Sequence, residues 1–499
     1  MPEKGIVKLR VTAMNSSFEH LTMKNIGYNS IARVLTFIFS ALSSVVLGRC
    51  LLPSDYGIIS FSFIFINFMG NFADVGIGSA IIQRKELDEP ALHTAFTLQF
   101  FIGCAVIFAT FILSTLAPLF FNNRDVVLII RLLSLYFLLS NISFLPKSLL
   151  IKEMNFKKVA IAETSMSILN SVVAIVLALN GFGYWSIVIA YLSSNFVATA
   201  LFIMFRPIDA KFQFDNKMAR EFISFGGYLF LTGLLVFLIF NLDNFIIGTV
   251  KGAKDLGYYA IAFNWGCMIC VLMYSVVLRV VFPVMAKLQD EEQKIRNAYL
   301  KTLEYSSYIV ILANIILFIF SKEFLVYVLG HGSNKWLPAL TSLRILCLYG
   351  IIRGLLEPIG QVITAMGKTR TLFIANLVAS VIEVSAIYPA LKLYGIEGVA
   401  LTVTVAYLSQ YFIFYRYLKS NLEISIVDLL RAVKPAFIAA LVVIFLQQLF
   451  YGYHVDTVLL LLSKASIVAI VYFAILGVIT NWEIFRTIKR LGLKAKIAG

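Results

Sequence analysis

Charge is scarce in this chain. Asp, Glu, Lys and Arg make up 14% of its 499 residues, against about a quarter in an ordinary soluble domain. Cysteine and histidine are scarcer still, at five and four. The cysteines (50, 104, 267, 270, 347) lie in or beside apolar segments, so no disulfide framework follows. Cys267-Met-Ile-Cys270 has a CxxC spacing but sits inside an apolar helix with no second pair, and reads as small packing residues. The histidines (20, 93, 331, 454) are scattered, so no metal site is expected. A phosphate loop of the GxxxxGK[ST] type is missing, which argues against direct ATP coupling, and no other cofactor is expected. Long hydrophilic stretches are missing too. The longest between apolar segments runs from about Lys287 to Lys301, which leaves no room for an attached catalytic domain. Residues 1–27 are polar and lack the apolar core and cleavage pattern of a signal peptide, so the first apolar segment is expected to act as an uncleaved anchor.

What the chain has in excess is apolar length. The hydrophobic fraction is 60% and the mean hydropathy is +0.88. Fourteen mostly apolar runs fill the sequence, at about 29–52, 57–82, 92–121, 126–151, 159–180, 184–205, 222–250, 256–283, 303–330, 339–366, 371–393, 396–418, 432–451 and 457–480. At 1.5 Å per residue each can cross a hydrocarbon layer of about 30 Å. The runs are continuous, not alternating, which favours helices over a barrel. The expected fold is an all-α polytopic membrane protein of about fourteen transmembrane helices.

The net charge of +15 does not mark a nucleic-acid binder. Lys and Arg concentrate on alternate loops and on both tails: Arg84-Lys85, Lys147 to Lys158, Arg206 to Arg220, Lys287 to Lys301, Lys368/Arg370, Arg416 to Lys434 and Arg486 to Lys496. This positive-inside bias places both termini in the cytoplasm.

An internal repeat divides the chain. Val46-Leu-Gly48 followed by Asp55-Tyr-Gly57 returns 200 residues later as Ile246-Ile-Gly248 followed by Asp255-Leu-Gly257. A second echo sets Pro146, Met154 and Gly183 against Pro358, Met366 and Gly395, 212 residues on. Six spans separate the copies, so both halves share one orientation, with a cavity expected between them. The organisation expected is a cytoplasmic tail at 1–27, an N-terminal lobe of six spans at 28–206, a cytoplasmic linker at 207–221, a C-terminal lobe of six spans at 222–419, two further spans within 420–481 and a cytoplasmic tail at 482–499.

Arg33, Asp74, Arg131, Asp243, Arg279, Arg344, Arg353, Glu357, Glu383 and Lys464 lie within spans. If all faced lipid near mid-depth, insertion would lose on the order of 25–35 kcal/mol. Most must therefore face a wet cavity, pair or snorkel. Arg33, Arg84 and Arg279 sit near the cytoplasmic ends of spans 1, 2 and 8, and Arg353 near the middle of span 10. Lining a cleft, they would form a cationic path suited to a pyrophosphate, which the planar guanidinium fork binds well. Snorkelling is the alternative for Arg33, Arg84, Arg279 and Arg353. Asp74, Asp243 and Glu383 are candidate ion- or proton-coupling carboxylates, with pairing to a buried Arg as the alternative. Asn67, Asn71 and Asp74 give span 2 one polar face.

Phe72-Ala-Asp74-Val-Gly76-Ile-Gly78-Ser-Ala80-Ile-Ile-Gln83-Arg84-Lys85-Glu86-Leu resembles the end of span 2 in bacterial polysaccharide exporters, a branch of the multidrug/oligosaccharidyl-lipid/polysaccharide (MOP) exporter superfamily. Asp243-Asn-Phe-Ile-Ile-Gly248 through Leu256-Gly257-Tyr258-Tyr259 is similar to its turn between spans 7 and 8. Pro146 through Phe156-Lys157 and Gly181-Phe-Gly183-Tyr-Trp185 also match its patterns, and the likeness runs from about residue 25 to 420. The resemblance implies a flippase for undecaprenyl-pyrophosphate-linked oligosaccharide repeat units of O-antigen, capsule or exopolysaccharide, working by alternating access in a bacterial inner membrane. It implies membrane lipids, a polysaccharide polymerase and chain-length proteins as partners. Related lipid II flippases carry cavity arginines on spans 1, 2 and 8, which Arg33 and Arg279 match by position; Arg84 lies at the very end of span 2. The inside-negative potential would drive such an anion outward by about 2.3 kcal/mol per charge per 100 mV.

Three rivals remain. A cation-coupled drug exporter calls for acidic residues dominating the cleft. A membrane glycan polymerase or ligase, which would make the chain an enzyme, needs a sizeable outer loop, whereas Asn122 to Asp125, Asn180 to Gly183 and Tyr451 to Asp456 are short. A channel or scaffold has no need of two repeats.

Overall fold

The computed structural model describes residues 33–73, 76–84, 88–208, 211–274, 291–449 and 457–482, with the single positions 281, 285 and 288. The described residues are largely helical and hold no β-strand. In hydrocarbon a helix satisfies its backbone donors and acceptors within one segment, which is why these apolar runs take that form.

Twelve of the described helices are long and apolar enough to cross a membrane. One of them, Thr369–Leu422, breaks at Gly395, whose φ of 65° is left-handed, so it supplies two spans. Asn216–Lys251, 36 residues long, adds another, since positions 222–242 carry no charge. These two features account for the fourteen apolar runs of the sequence.

The chain forms two compact units. One comprises the described residues up to Leu51 together with Ile58–Phe240; the other comprises Leu52–Gly57 and the described residues from Asn241 onward.

In the first unit, Phe156–Leu179 and Trp185–Phe205 form a helical hairpin. Its turn holds Gly181 and Gly183 at φ 81° and 52°, a region that glycine enters without a Cβ penalty. Leu150, Val159, Ala162, Ala198 and Phe202 form the core beneath it. A second core joins Ile77, Ile81, Ala91, Ala95 and Leu145. The linker after Arg206 is docked along the helix Glu89–Ser114. The backbone N–H groups of Lys211, Gln213 and Asp215 donate to His93 Nδ1, Thr97 Oγ1 and Thr94 Oγ1 at 3.2, 3.1 and 3.1 Å. The period of two shows an extended segment with one edge turned to the helix.

The second unit packs Glu292–Ile319, Leu340–Ala365 and Ile426–Leu449 around one core that includes Tyr299, Ile311, Ile359, Val362, Ala436 and Tyr472. Trp336, fully buried, receives the ring edges of Tyr56 and Tyr258 at 5.4 and 6.3 Å.

Three pairs of features repeat between the halves of the chain, the first two with the 200- and 212-residue spacings of the sequence echoes. First, the opening turns of Pro53–Ala73 and Ala253–Met273 lie against each other reciprocally. A Cβ built on Gly57 would stand 2.6 Å from the carbonyl carbon of Ala253, and one on Gly257 would stand 2.6 Å from that of Pro53. Each contact is the other shifted by 200 residues, as a twofold relation between the copies requires. Small residues four apart let the backbones approach this closely. Second, Gly183 and Gly395 both hold positive φ at the turn between two spans. Third, Arg131 donates to Ser114 Oγ (3.1 Å) and lies over the Phe111 ring, while Arg344 donates to Ser321 Oγ (2.9 Å) and lies over the Phe318 ring. In both cases the Phe precedes the Ser by three residues.

Candidate functional site

Five of the charges named within the spans, Arg33, Asp243, Arg353, Glu357 and Glu383, fall in three clusters, each inside one unit.

In the first unit, Glu163 on Phe156–Leu179 is shared by two cations. Its Oε2 accepts from Arg33 Nη2 at 3.3 Å and its Oε1 lies 3.0 Å from Lys147 Nζ. Arg33 is about one-third exposed. It belongs to the helical span Arg33–Cys50 and opens onto a cavity of about 330 Å³. The wall opposite is made by polar positions of the hairpin. Glu163, Ser167 and Asn170 fall on one face at spacings of four and three, as do Tyr191, Ser194 and Asn195 on the other helix. The local charge is one positive in excess, because one carboxylate answers two cations.

The second cluster lies on Leu340–Ala365. Arg353 Nε donates to Glu357 Oε1 at 3.3 Å, one helical turn on, and the guanidinium stands 5.8 Å above the ring of Tyr407. The pair is 15% and 21% exposed, so the ion pair and the ring together replace most of its hydration.

The third cluster holds two buried carboxylates, Asp243 and Glu383, at 2% and 1% exposure. Asp243 Oδ2 accepts from Tyr259 Oη at 2.8 Å, and its Oδ1 accepts from the backbone and side-chain nitrogens of Asn244 at 2.7 and 3.1 Å. Glu383 is an electrostatic neighbour of Asp243, and its Oε1 has no hydrogen-bond partner among the described residues. An ionised carboxylate buried without a partner is costly. Among the described residues no group of three or more His, Cys, Asp or Glu could hold a metal ion.

The remaining candidates are placed as follows. Arg84 ends the short helix Ile77–Gln83, and its carbonyl accepts from Lys152 Nζ, which also reaches the Ile81 carbonyl at 3.0 Å. Arg279 and Asp74 lie outside the described residues. On the polar face read on span 2, Asn71 meets another helix while Asn67 is exposed. Asn71 donates to the Asn67 carbonyl at 2.8 Å, and its Oδ1 sits where a Cβ on Gly233 would be 2.8 Å away. The structure brings together Arg33 with Glu163, Arg353 with Glu357, and Asp243 with Tyr259.

Sequence reasoning missed Glu163, Lys147 and the cavity. The signal was present: Glu163, Ser167 and Asn170 recur at helical spacing in an otherwise apolar run, as do Tyr191, Ser194 and Asn195.

The model of a family described as "Polysaccharide biosynthesis protein" matches residues 46–341. Over 394 residues the chain is 28% identical to the lipopolysaccharide biosynthesis protein WzxC of Escherichia coli (strain K12), spanning 77% of this chain and 78% of WzxC. Among solved structures, the lipid II flippase MurJ in an inward closed conformation superposes with a TM-score of 0.75 at 17% identity, over 91% of this chain and 98% of MurJ. An inward-facing multidrug resistance MATE family transporter of the MOP superfamily gives 0.65 at 15% identity, over 79% of this chain and 99% of the transporter. At these identities the structural likeness speaks for the fold.

Proposed function

The chain belongs to the polysaccharide biosynthesis protein family and has the fold of the MOP superfamily, and from that premise we propose that it is a flippase. Its cargo is a polyprenyl-pyrophosphate-linked oligosaccharide repeat unit, moved from the cytoplasmic to the outer leaflet by alternating access for O-antigen, capsule or exopolysaccharide assembly. The observation that carries this reading is the coincidence of two independent likenesses. The sequence matches polysaccharide biosynthesis proteins, and the fold over 91% of the chain is that of a lipid flippase. The chain works as a transporter and not as an enzyme, in a bacterial inner membrane with both termini cytoplasmic. Residues 28–206 and 222–419 act as two like-oriented lobes. Undecaprenyl pyrophosphate is the carrier, and a polymerase with chain-length proteins takes the product.

Arg33, Arg279 and Arg353 hold the pyrophosphate in this reading, with Arg84 at the cytoplasmic edge. Arg33 suits the task because it shares a single carboxylate with Lys147, so a phosphate arriving there meets uncompensated positive charge. Glu383, Asp243 and Asp74 carry coupling by proton or cation. Deleting the gene should remove surface polysaccharide and leave lipid-linked repeat units on the cytoplasmic side. Arg33→Ala and Arg279→Ala should each fail to restore it, and Lys at either position should restore it in part, because Lys lacks the fork. Full polysaccharide in both alanine variants removes these residues from the mechanism. Flipping in liposomes that ignores both voltage and pH removes the coupling.

The buried pair Asp243 and Glu383 favours a second reading, a cation-coupled drug exporter. Drug resistance on overexpression, with surface polysaccharide intact in the deletion, would select it.

A further inference from the structure

The cavity beside Arg33 has a lining that neither a lipid tail nor a phosphate would need. Small-molecule pockets of comparable size, about 300–1,000 Å³, are mostly apolar with few polar groups. Here the wall carries Thr36, Thr164, Ser167, Asn170 and Asn195. For the side chains of Thr36, Thr164, Ser167 and Asn170, no hydrogen-bond partner is found among the described residues. Asn195 Nδ2 bonds back to the Tyr191 carbonyl at 2.7 Å, which leaves its Oδ1 facing outward as an acceptor. Among the described residues of the wall, Tyr191 is the one aromatic ring. It is braced by Phe63 and Tyr136, with centroids 5.2 and 5.3 Å away. Hydroxyl and amide groups on helices of a membrane protein cost free energy unless water or a ligand satisfies them. Closely spaced hydroxyl and amide groups beside one braced ring match a pyranose, which offers hydroxyls around its rim and a C–H face for the ring.

We infer that this cavity is a carbohydrate subsite that takes the sugar joined directly to the pyrophosphate. The inference rests on the flippase reading and adds to it where the first sugar sits. Arg33 and Glu163 stand at one end of the cavity and Asn170 at the other. The seven residue steps from Glu163 to Asn170 span about 10 Å along the helix axis. A phosphate at Arg33 therefore places its attached sugar against Ser167, Asn170 and Asn195. The subsite selects for the proximal sugar, while Arg33 and Lys147 serve the phosphate common to all such lipids.

The test uses the purified full-length chain and two probes. One is undecaprenyl pyrophosphate without sugar. The other is the lipid-linked repeat unit that accumulates in cells lacking the gene. Binding of both is measured by native mass spectrometry. The wild-type chain should prefer the glycosylated lipid by about tenfold, the sum of two ordinary hydrogen bonds. Asn170→Leu and Ser167→Leu, which fill the cavity, should bring the two lipids near parity while binding of the bare lipid stays within about twofold. Asn170→Ala, a gentler change, should lose about two- to tenfold of the preference. Size-exclusion profile and melting temperature report that each variant is folded. An unchanged preference in folded Asn170→Leu and Asn170→Ala overturns the subsite and leaves the flippase reading standing, as does a wild-type chain that binds both lipids equally. A wild-type chain that binds neither lipid overturns both.

Discussion

The reciprocal contact between Pro53–Ala73 and Ala253–Met273 makes a quantitative prediction. A Cβ at Gly57 or Gly257 would come within 2.6 Å of a carbonyl carbon on the opposing helix. Carbon atoms in ordinary contact stand about 3.5–4.0 Å apart, and the carbonyl oxygen of each group lies nearer still, so Gly57→Ala or Gly257→Ala must push the two helix starts apart by at least about 1 Å. The obstacle is backbone in both cases, so no rotamer change can relieve it. Overpacking of this kind costs about 1–3 kcal/mol, and each single variant should fall in the upper half of that range. The double variant distinguishes this geometry from two unrelated clashes. One separation of the helices relieves both contacts, so the double should cost little more than either single, an interaction of about 2 kcal/mol. Gly70→Ala is the control. It lies on the same helix, and a Cβ there meets nothing within 4 Å, so the better helix propensity of Ala should leave it neutral or stabilise it by up to about 1 kcal/mol. The assay is equilibrium unfolding in mixed dodecylmaltoside and SDS micelles. Additive losses in the double, or one single variant as stable as wild type while the other falls, would refute the reciprocal packing.

Other outcomes follow from the charged clusters. Arg353→Leu should destabilise by about 3 kcal/mol because it strands Glu357, and Arg353→Leu with Glu357→Leu should recover most of that loss in the same unfolding assay. Arg131→Ala and Arg344→Ala each remove one hydrogen bond and one cation–π contact, and should each cost about 1–2 kcal/mol and match one another. Glu383→Gln should leave stability within about 1 kcal/mol of wild type, since it keeps the shape and removes the charge. In liposomes the same variant should flip lipid with a weakened response to an imposed pH or sodium gradient. A response equal to wild type would take Glu383 out of the coupling.

The helical class and the number of spans were legible because hydrocarbon admits few alternatives and apolar length is read directly. The repeat was legible at Gly57 and Gly257 because close backbone contact restricts the residue type. It was also legible at Gly183 and Gly395, because positive φ does. The clamp of Arg131 on Ser114 and Phe111 was not legible, although its twin at Arg344 repeats every part. Serine and phenylalanine are common in spans, and a contact between neighbouring helices leaves no periodic trace. The partner of Arg353 stood one turn away on the same helix and could be read. The partner of Arg33 is 130 residues distant. Only the polar stripe of Glu163, Ser167 and Asn170 hinted at it, and that stripe says which way a helix faces without naming what it meets.

The charges inside the spans are disposed of unequally, and the inequality separates structure from function. Arg131 and Arg344 have a hydroxyl and a ring each. Arg353 has a carboxylate and a ring, and Asp243 has a phenol and an amide. Such groups are satisfied where they stand, and changing them should register first as lost stability. Glu383 retains a buried oxygen without a hydrogen-bond partner among the described residues, and the Arg33–Lys147 pair shares one carboxylate over a polar cavity. Neither arrangement lowers the cost of burial as far as the neighbouring chemistry allows. A Tyr or Asn beside Glu383, or a second acid beside Lys147, would do so. Sites left short of partners are the ones where an arriving proton, cation or phosphate gains most. On that argument transport defects without loss of fold should concentrate at Glu383, Arg33 and the hydroxyl-lined wall, fold defects alone at Arg131 and Arg344, and fold and transport defects together at the Arg353–Glu357 pair and Asp243.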